Sequence, residues 1–274
     1  MSIVLGIDVG GSTTKIVGLR NGELIGTLQV RAADQITSLY GAIGNFLHLQ
    51  ETKLSDVSSI ALTGAGSTFI DEPIYDVETH KVNEFLAIGH GALRLSGLEE
   101  AIVVSMGTGT ALVRAGKEAI THIGGSGVGG GTIIGLASKM LGKSEIDAIL
   151  ALAENGRLEN VDLTVRDIVG REIPSLSPDL TAANFGKIKS TASESDLALG
   201  IINMVFQTAG MLAVFVVRND TIRDVVLIGT LTTFPQAEAI LLPLMDQFKL
   251  KFIIPPHSIF ATALGAAALV DCGG

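Results

Sequence analysis

Leu5-Gly6-Ile7-Asp8-Val9-Gly10-Gly11-Ser12-Thr13-Thr14-Lys15-Ile16-Val17-Gly18 decides how this chain folds. Ile3 to Ile7 is an apolar run of strand length and Lys15 to Leu19 reads as a second strand. The glycines and hydroxyls between them are what a tight hairpin uses. Gly10 and Gly11 carry no Cβ, so the backbone there can approach an anion closely, and successive N–H groups can converge on phosphate oxygens. Ser12, Thr13 and Thr14 add hydroxyls and Lys15 a cation, while Asp8 at the strand end is placed to hold Mg²⁺ directly or through water. A polar turn on a surface hairpin is the competing reading.

The same grammar recurs further along. Ala101 to Ser105 reads as a strand running into Met106-Gly107-Thr108-Gly109-Thr110, and Ala111 to Ala115 resumes as a strand. Val225 to Ile228 is a strand followed by Gly229-Thr230-Leu231-Thr232-Thr233. Strands ending in glycine and hydroxyl turns near residues 10, 107 and 229 point to two halves whose hairpin tips face each other and enclose a nucleotide's phosphates. Ile123 to Thr132, rich in glycine, opens a helix to about Leu141 and leaves that helix's first N–H groups open to an anion. A dinucleotide-binding fold is the weaker reading, because no Gly-x-Gly-x-x-Gly joins a first strand to a helix with an acidic residue at the right distance.

Between these turns, Glu23 to Arg31 reads as a third strand after Arg20-Asn21-Gly22, and Leu39 to Leu49 as a helix. Val57 to Thr63 is a strand ending in Gly64-Ala65-Gly66, and Glu78 to Leu95 and Glu145 to Glu154 are helices. Val161 to Ile168 starts a mixed region ending in Pro174 and Pro178. A long helix spans Asp196 to Val217, Phe252 to Ile254 is a short strand, and Ala261 to Val270 a small-residue helix. Leu197 to Val217 is long enough to cross a bilayer on the usual count of about 20 residues, but Asn203, Gln207 and Thr208 interrupt it and favour a buried helix.

The 47% hydrophobic content supplies a large core, and the 33 glycines among 274 residues gather at turns where backbone must come close to something. A net charge of −9 argues against nucleic acid and against an anionic membrane as partner, and 4% aromatics offer little for base stacking. The only cysteine, Cys272, permits neither an internal disulfide nor a cysteine metal site, which fits a reducing cytoplasm. The chain starts directly in a strand, without a basic, apolar leader.

These runs resemble the acetate and sugar kinase, Hsc70 and actin superfamily, and more narrowly the type II pantothenate kinases, over nearly the whole chain. Ile7 to Lys15 is similar to that family's first phosphate motif, Met106 to Thr110 to its second, and Gly124-Gly125-Ser126-Gly127-Val128-Gly129-Gly130-Gly131-Thr132 to its glycine-rich helix start. Asp179-Leu180-Thr181-Ala182-Ala183-Asn184-Phe185-Gly186 is the most family-specific run. The resemblance implies an α/β, two-lobed actin-like ATPase fold with duplicated ribonuclease-H-like domains. Residues 1–98 would form the lobe with the first hairpin and the catalytic base, and 99–274 the lobe with the second hairpin, the adenosine site and a dimer helix.

It also implies a cytoplasmic homodimer that uses ATP and Mg²⁺ to phosphorylate pantothenate or a close analogue, with Leu197 to Val217 suited to the subunit interface. Glu84, in Asn83-Glu84-Phe85-Leu86-Ala87, matches the family's general base, with Glu78 a rival one and a half turns earlier on the same expected helix. Asp8 and Lys15 complete the catalytic set, with Asp8 on the metal. Nucleotide contacts fall on Gly10, Gly11, Ser12, Thr13, Thr14, Lys15, Gly107, Thr108, Gly109, Gly129, Gly130, Gly131, Gly229 and Thr230, and substrate contacts on Glu84, Thr108, His122 and Gly125. Two positions depart from the family: Leu231-Thr232-Thr233 in the third turn, and His122, where the family has an arginine that reaches the substrate.

Other readings share parts of this pattern. A sugar kinase of the same superfamily is opposed by the Leu180 to Gly186 run. An ATP-driven activator of a radical dehydratase needs cysteines for an iron–sulfur cluster, and this chain has only Cys272. A regulator that binds nucleotide or acyl-CoA without catalysis is opposed by the intact Asp8, Lys15 and Glu84, while His122 leaves it open.

Overall fold

A computed structural model describes residues 2–32, 34–169 and 177–271 of the chain. Cys272 and Pro174 lie outside the described residues.

The first half begins with β1 (Ile3–Val9), β2 (Thr13–Arg20) and β3 (Glu23–Arg31), an antiparallel meander. The first helix, α1 (Gln35–Leu49), starts earlier than its apolar spacing suggests, because the Asp34 side chain accepts the Thr37 N–H at 2.7 Å and caps it. Then β4 (Val57–Thr63) pairs parallel to β1, and β5 (Glu78–Lys81) parallel to β4, giving the order β3-β2-β1-β4-β5. The helix α2 runs from Glu84 to Ser96. Glu78 therefore sits on a strand, not on a helix shared with Glu84. The cause is Asn83, whose Oδ1 accepts from the Phe85 and Leu86 N–H groups at 3.0 and 3.2 Å and sets the helix start there.

The second half repeats this plan. The strands β6 (Glu100–Met106), β7 (Thr110–Gly116) and β8 (Ile120–Ser126) form the meander. After α3 (Gly130–Leu141), α4 (Ile146–Ala153), β9 (Leu163–Thr164), α5 (Val165–Ile168), β10 (Thr181–Ala183) and α6 (Glu194–Arg218), the chain returns as β11 (Asp224–Ile228), parallel to β6. Then α7 (Ala237–Phe248), β12 (Lys251–Ile253), parallel to β11, and α8 (Ala261–Asp271) complete it. The order β12-β11-β6-β7-β8 is the first sheet's order with each strand replaced by its counterpart. Neither β8 nor α7 is signalled in the sequence, since glycines interrupt the one and Pro243 lies inside the other.

The last helices of the two halves, α2 and α8, pack together between the sheets. Ala263, Leu264 and Ala267 of α8 lie on Val4, Val17 and Leu19 of the first sheet. Ile88 and Ala92 of α2 lie on Ala101, Val103 and Val113 of the second. The approach depends on glycine: a Cβ on Gly91 would stand 1.8 Å from the Ala261 carbonyl oxygen, and one on Gly265 1.9 Å from that of Ala87. The outer face of the first sheet is covered by α1, and that of the second by a larger core containing α3, α4, α6 and α7.

Among the described residues α6 alone is long and apolar enough to cross a membrane, and 61% of its most apolar window is buried in the protein. Its polar residues have partners. The fully buried Asp162 carboxylate accepts from Asn203 Nδ2 at 2.6 Å and from the Phe185 N–H at 2.8 Å, and Gln207 Nε2 donates to Thr181 Oγ1 at 3.0 Å. The groups that interrupt a membrane pattern thus moor the Leu180 to Gly186 run onto α6.

Candidate active site

Each hairpin tip is closed by its own backbone. The Gly10 N–H donates to the Thr13 carbonyl at 2.9 Å, and the Gly107 N–H to that of Gly109 at 2.9 Å. A Cβ on Gly11 would lie 3.8 Å from Thr108 Oγ1, so the two tips face one another, with Gly11, Ser12 and Thr108 exposed.

Below the first tip, Asp8 and Lys15 are paired in register across β1 and β2, with Lys15 Nζ 4.0 Å from Asp8 Oδ2. Their side chains are only 12% and 8% exposed. Alternation along β2 puts Thr13 on their face and turns Thr14 to the other, where its Oγ1 is buried with no hydrogen-bond partner. The Thr14 hydroxyl is therefore not among the groups at the tip, contrary to the expectation from the motif. Burial holds the Asp8 carboxyl above its ordinary value, and Lys15 only partly offsets this.

Glu84, the first residue of α2, comes to the same place. Its carboxyl is also held above the ordinary value, first by burial, then by the charge of Asp8, with Lys15 acting in the opposite direction. Residues from three separate segments thus share one electrostatic neighbourhood. Glu78 is exposed on β5 and pairs with His80 Nε2 at 3.3 Å.

The second half contributes differently from expectation. The first N–H groups of α3 are not open to an anion: Gly130 donates to Gly107 O at 2.8 Å, Gly131 to Thr108 O at 2.9 Å, and Gly129 to Thr132 Oγ1 at 3.1 Å. Gly129 is needed for another contact, because a Cβ there would meet Gly109 Cα and Thr108 O at 2.6 Å. The missing Cβ that would admit a phosphate admits the hairpin backbone instead. Gly229 follows β11 at φ +96°, with its hypothetical Cβ 2.5 Å from Met106 O, and Thr230 opens a short turn. Thr232 Oγ1 donates to the Gly229 carbonyl at 2.7 Å and contacts Ser258 Oγ at 2.7 Å, which braces that turn. Gly125 lies against the Thr110 carbonyl, and the exposed His122 stacks on Phe85 with ring centroids 3.8 Å apart.

Sequence reasoning did not assign Gly64 to the site. At φ +88° it follows β4 as Gly229 follows β11, and a Cβ on it would stand 2.5 Å from Asp8 Oδ1. Superposing the two halves of the sequence on each other would have found it.

No group of three or more metal-ligating side chains occurs among the described residues. Magnesium asks for less, since it usually takes one or two carboxylates and completes its shell with water and phosphate oxygens. Asp8 fits that requirement: its carboxylate is nearly buried below the first tip and accepts no hydrogen bond from the described residues.

Residues 100–267 match the Fumble family. The chain is 30% identical to the type II pantothenate kinase of Staphylococcus saprophyticus, over 97% of this chain and 99% of that protein. It is 27% identical to the type II pantothenate kinase of Bacillus anthracis, over 84% of this chain and 83% of that one. Among solved structures, component A of the Acidaminococcus fermentans (R)-2-hydroxyglutaryl-CoA dehydratase superposes with a TM-score of 0.74 at 15% identity, covering 100% of this chain and 99% of that one. A ROK family glucokinase from Streptomyces griseus, in complex with glucose and AMPPNP, gives 0.61 at 12% identity, over 98% and 99%. At such identities these likenesses describe the fold alone, the two-lobed α/β fold of the actin-like ATPases.

Proposed function

We propose that this chain, which belongs to the type II pantothenate kinase family, transfers the γ-phosphoryl group of ATP to the hydroxyl of pantothenate, yielding 4′-phosphopantothenate and ADP, the first step of coenzyme A synthesis. The observation that carries this reading is the electrostatic coupling of Glu84, Asp8 and Lys15 beneath two facing glycine tips.

In this mechanism the Glu84 carboxylate takes the proton of the acceptor hydroxyl as its oxygen attacks the γ-phosphorus and the bond to the β,γ-bridging oxygen breaks. A carboxyl held above its ordinary value is a stronger base than a solvated one and suits that task. Lys15 sets a positive charge beside the phosphates, and the tips at Gly10 to Thr13 and Gly107 to Gly109 position them, which is most of what phosphoryl transfer asks of a protein. Asp8 would hold Mg²⁺, which neutralises charge developing on the transferred group.

A second reading has a specific observation behind it. The family's arginine suits a carboxylate because a guanidinium grips it with two parallel hydrogen bonds, whereas an imidazole offers fewer donors. His122 stands in its place and is laid flat against Phe85. An acceptor alcohol with an uncharged distal end, such as pantetheine, is the alternative substrate. The protein acts in the cytoplasm as a homodimer, with ATP and Mg²⁺ as its cofactors and α6 available to the subunit contact. The deciding experiment is coupled ADP release with pantothenate, pantetheine and a panel of sugars. Turnover of pantothenate supports the proposal, and turnover confined to another alcohol replaces it.

A further inference from the structure

Thr63 ends β4 directly beside Asp8. The two residues are paired in register across β1 and β4, and partners in register share one face of the sheet. The next residue touches the carboxylate, since a Cβ on Gly64 would lie 2.5 Å from Asp8 Oδ1. Thr63 is 0% exposed and its Oγ1 has no hydrogen-bond partner. A buried hydroxyl without a partner is destabilising, and valine, of the same shape and at home in strands, would avoid that cost.

Asp8 has the complementary deficiency, because no described residue donates a hydrogen bond to it and its nearest cation, Lys15, is 4.0 Å away. An unused donor and an unused acceptor therefore stand on the same face of neighbouring strands. Thr14 makes the contrast: its Oγ1 is equally buried and unpaired, but it is in register with Val9 and Val30 on the face covered by α1. No carboxylate is in register with it.

We propose that Thr63 is a positioning residue for Asp8. Its Oγ1–H donates to one carboxylate oxygen in the nucleotide-bound protein and fixes the direction in which Asp8 presents the other oxygen to the cation. The bond would be made by reorienting the Thr63 side chain among its staggered χ1 wells. Thr63 touches neither nucleotide nor acceptor and acts through Asp8 alone. The inference rests on the nucleotide and magnesium part of the function proposed above, not on the identity of the acceptor.

The test omits the acceptor. Wild type, Thr63→Val and Thr63→Ser are titrated calorimetrically with a non-hydrolysable ATP analogue, with Mg²⁺ and again with EDTA, and thermal unfolding is recorded without ligand. Thr63→Val is expected to unfold at the same or a higher temperature, and to bind the magnesium complex about tenfold more weakly or worse, as loss of a hydrogen bond to a charged group implies. That difference should vanish in EDTA, and Thr63→Ser, which keeps the donor, should bind like wild type. Thr63→Val binding the magnesium complex like wild type would overturn the proposal. So would equal weakening of both variants together with a lowered unfolding temperature, the mark of a packing residue. A wild type that does not bind the analogue would instead remove the nucleotide reading, and this inference with it.

Discussion

The imidazole of His122 lies flat on the phenyl ring of Phe85, with centroids 3.8 Å apart and planes inclined by 11°. Phe85 follows Glu84 in the first turn of α2, whereas His122 is on β8. One aromatic contact thus joins the turn that carries the proposed base, Glu84, to the strand on the expected substrate side.

His122→Arg should lower the KM for pantothenate while leaving kcat nearly unchanged, because it adds a bidentate grip on a carboxylate away from the reacting atoms. The gain is bounded by the about 1.5–3 kcal/mol of a hydrogen bond to a charged group, less any misfit. Phe85→Leu should cost about 0.5–1.5 kcal/mol of stability, the worth of an aromatic pair, and should raise KM as the ring it holds is freed. Steady-state kinetics and denaturant unfolding check both. An unchanged KM in His122→Arg, with pantothenate turned over, would place His122 away from the acceptor.

Glu84→Gln should keep nucleotide binding and lower kcat by about 10²–10⁴, the range for a lost general base. Glu78→Gln should leave turnover intact, since Glu78 is exposed and paired with His80. The wild-type kcat should also fall on the acid side at a pH above 4.5, the ordinary value for glutamate, because burial and Asp8 raise the Glu84 carboxyl. Full activity in Glu84→Gln would sink the assignment.

Asp8→Asn should make the protein more heat-stable at pH 8 and impair binding of magnesium and nucleotide. The Asp8 carboxyl is raised in the folded state, first by burial, so the folded protein holds its proton more tightly than the unfolded chain does. The associated stability is present below 3.8, the ordinary value, and is lost as pH rises through the raised one. An ionised, buried Asp8 is then a liability at pH 8 that asparagine removes, and the difference in Tm between variant and wild type should shrink towards pH 4. A variant less stable at pH 8 than at pH 4, relative to wild type, would contradict the sign.

Gly265→Val should unfold the protein or cost it at least the about 1–3 kcal/mol of overpacking, because the first added carbon already meets Ala87 O at 1.9 Å. Gly64→Ala should also be destabilising, by about 1–3 kcal/mol for a positive-φ, extended-ψ backbone that essentially only glycine adopts, with further loss from contact with Asp8 Oδ1 at 2.5 Å. Chemical denaturation of both, beside Gly41→Ala on the exposed surface of α1, is the measurement. Wild-type stability in Gly265→Val would mean that α2 and α8 do not pack as described.

Much of this protein was settled by local chemistry. Ile3 to Arg31 had to become a meander, because strand-length runs are separated by turn residues, and the β1–β2 hairpin brings Asp8 against Lys15 by register alone. The two-sheet duplication was legible because the strand and turn pattern near residue 10 returns near 107 and 229. What the sequence could not decide depends on groups distant along the chain. Whether Gly129 to Gly131 offer their N–H groups to an anion or to the second hairpin turns on the approach of Gly107 and Thr108, which no local pattern encodes. Thr14 groups with Ser12 and Thr13 at the tip when its strand is read as starting at Lys15; β2 starts at Thr13, so alternation turns Thr14 to the other face, where α1 covers the sheet and its hydroxyl is buried. The charges of Asp8 and Glu84 interact only because β4 and β5 lead the chain from β1 to the start of α2. Hydrogen bonding and alternation act over a few residues and can be read from a string, whereas burial, close backbone approach and charge coupling exist only once the sheets and helices have packed.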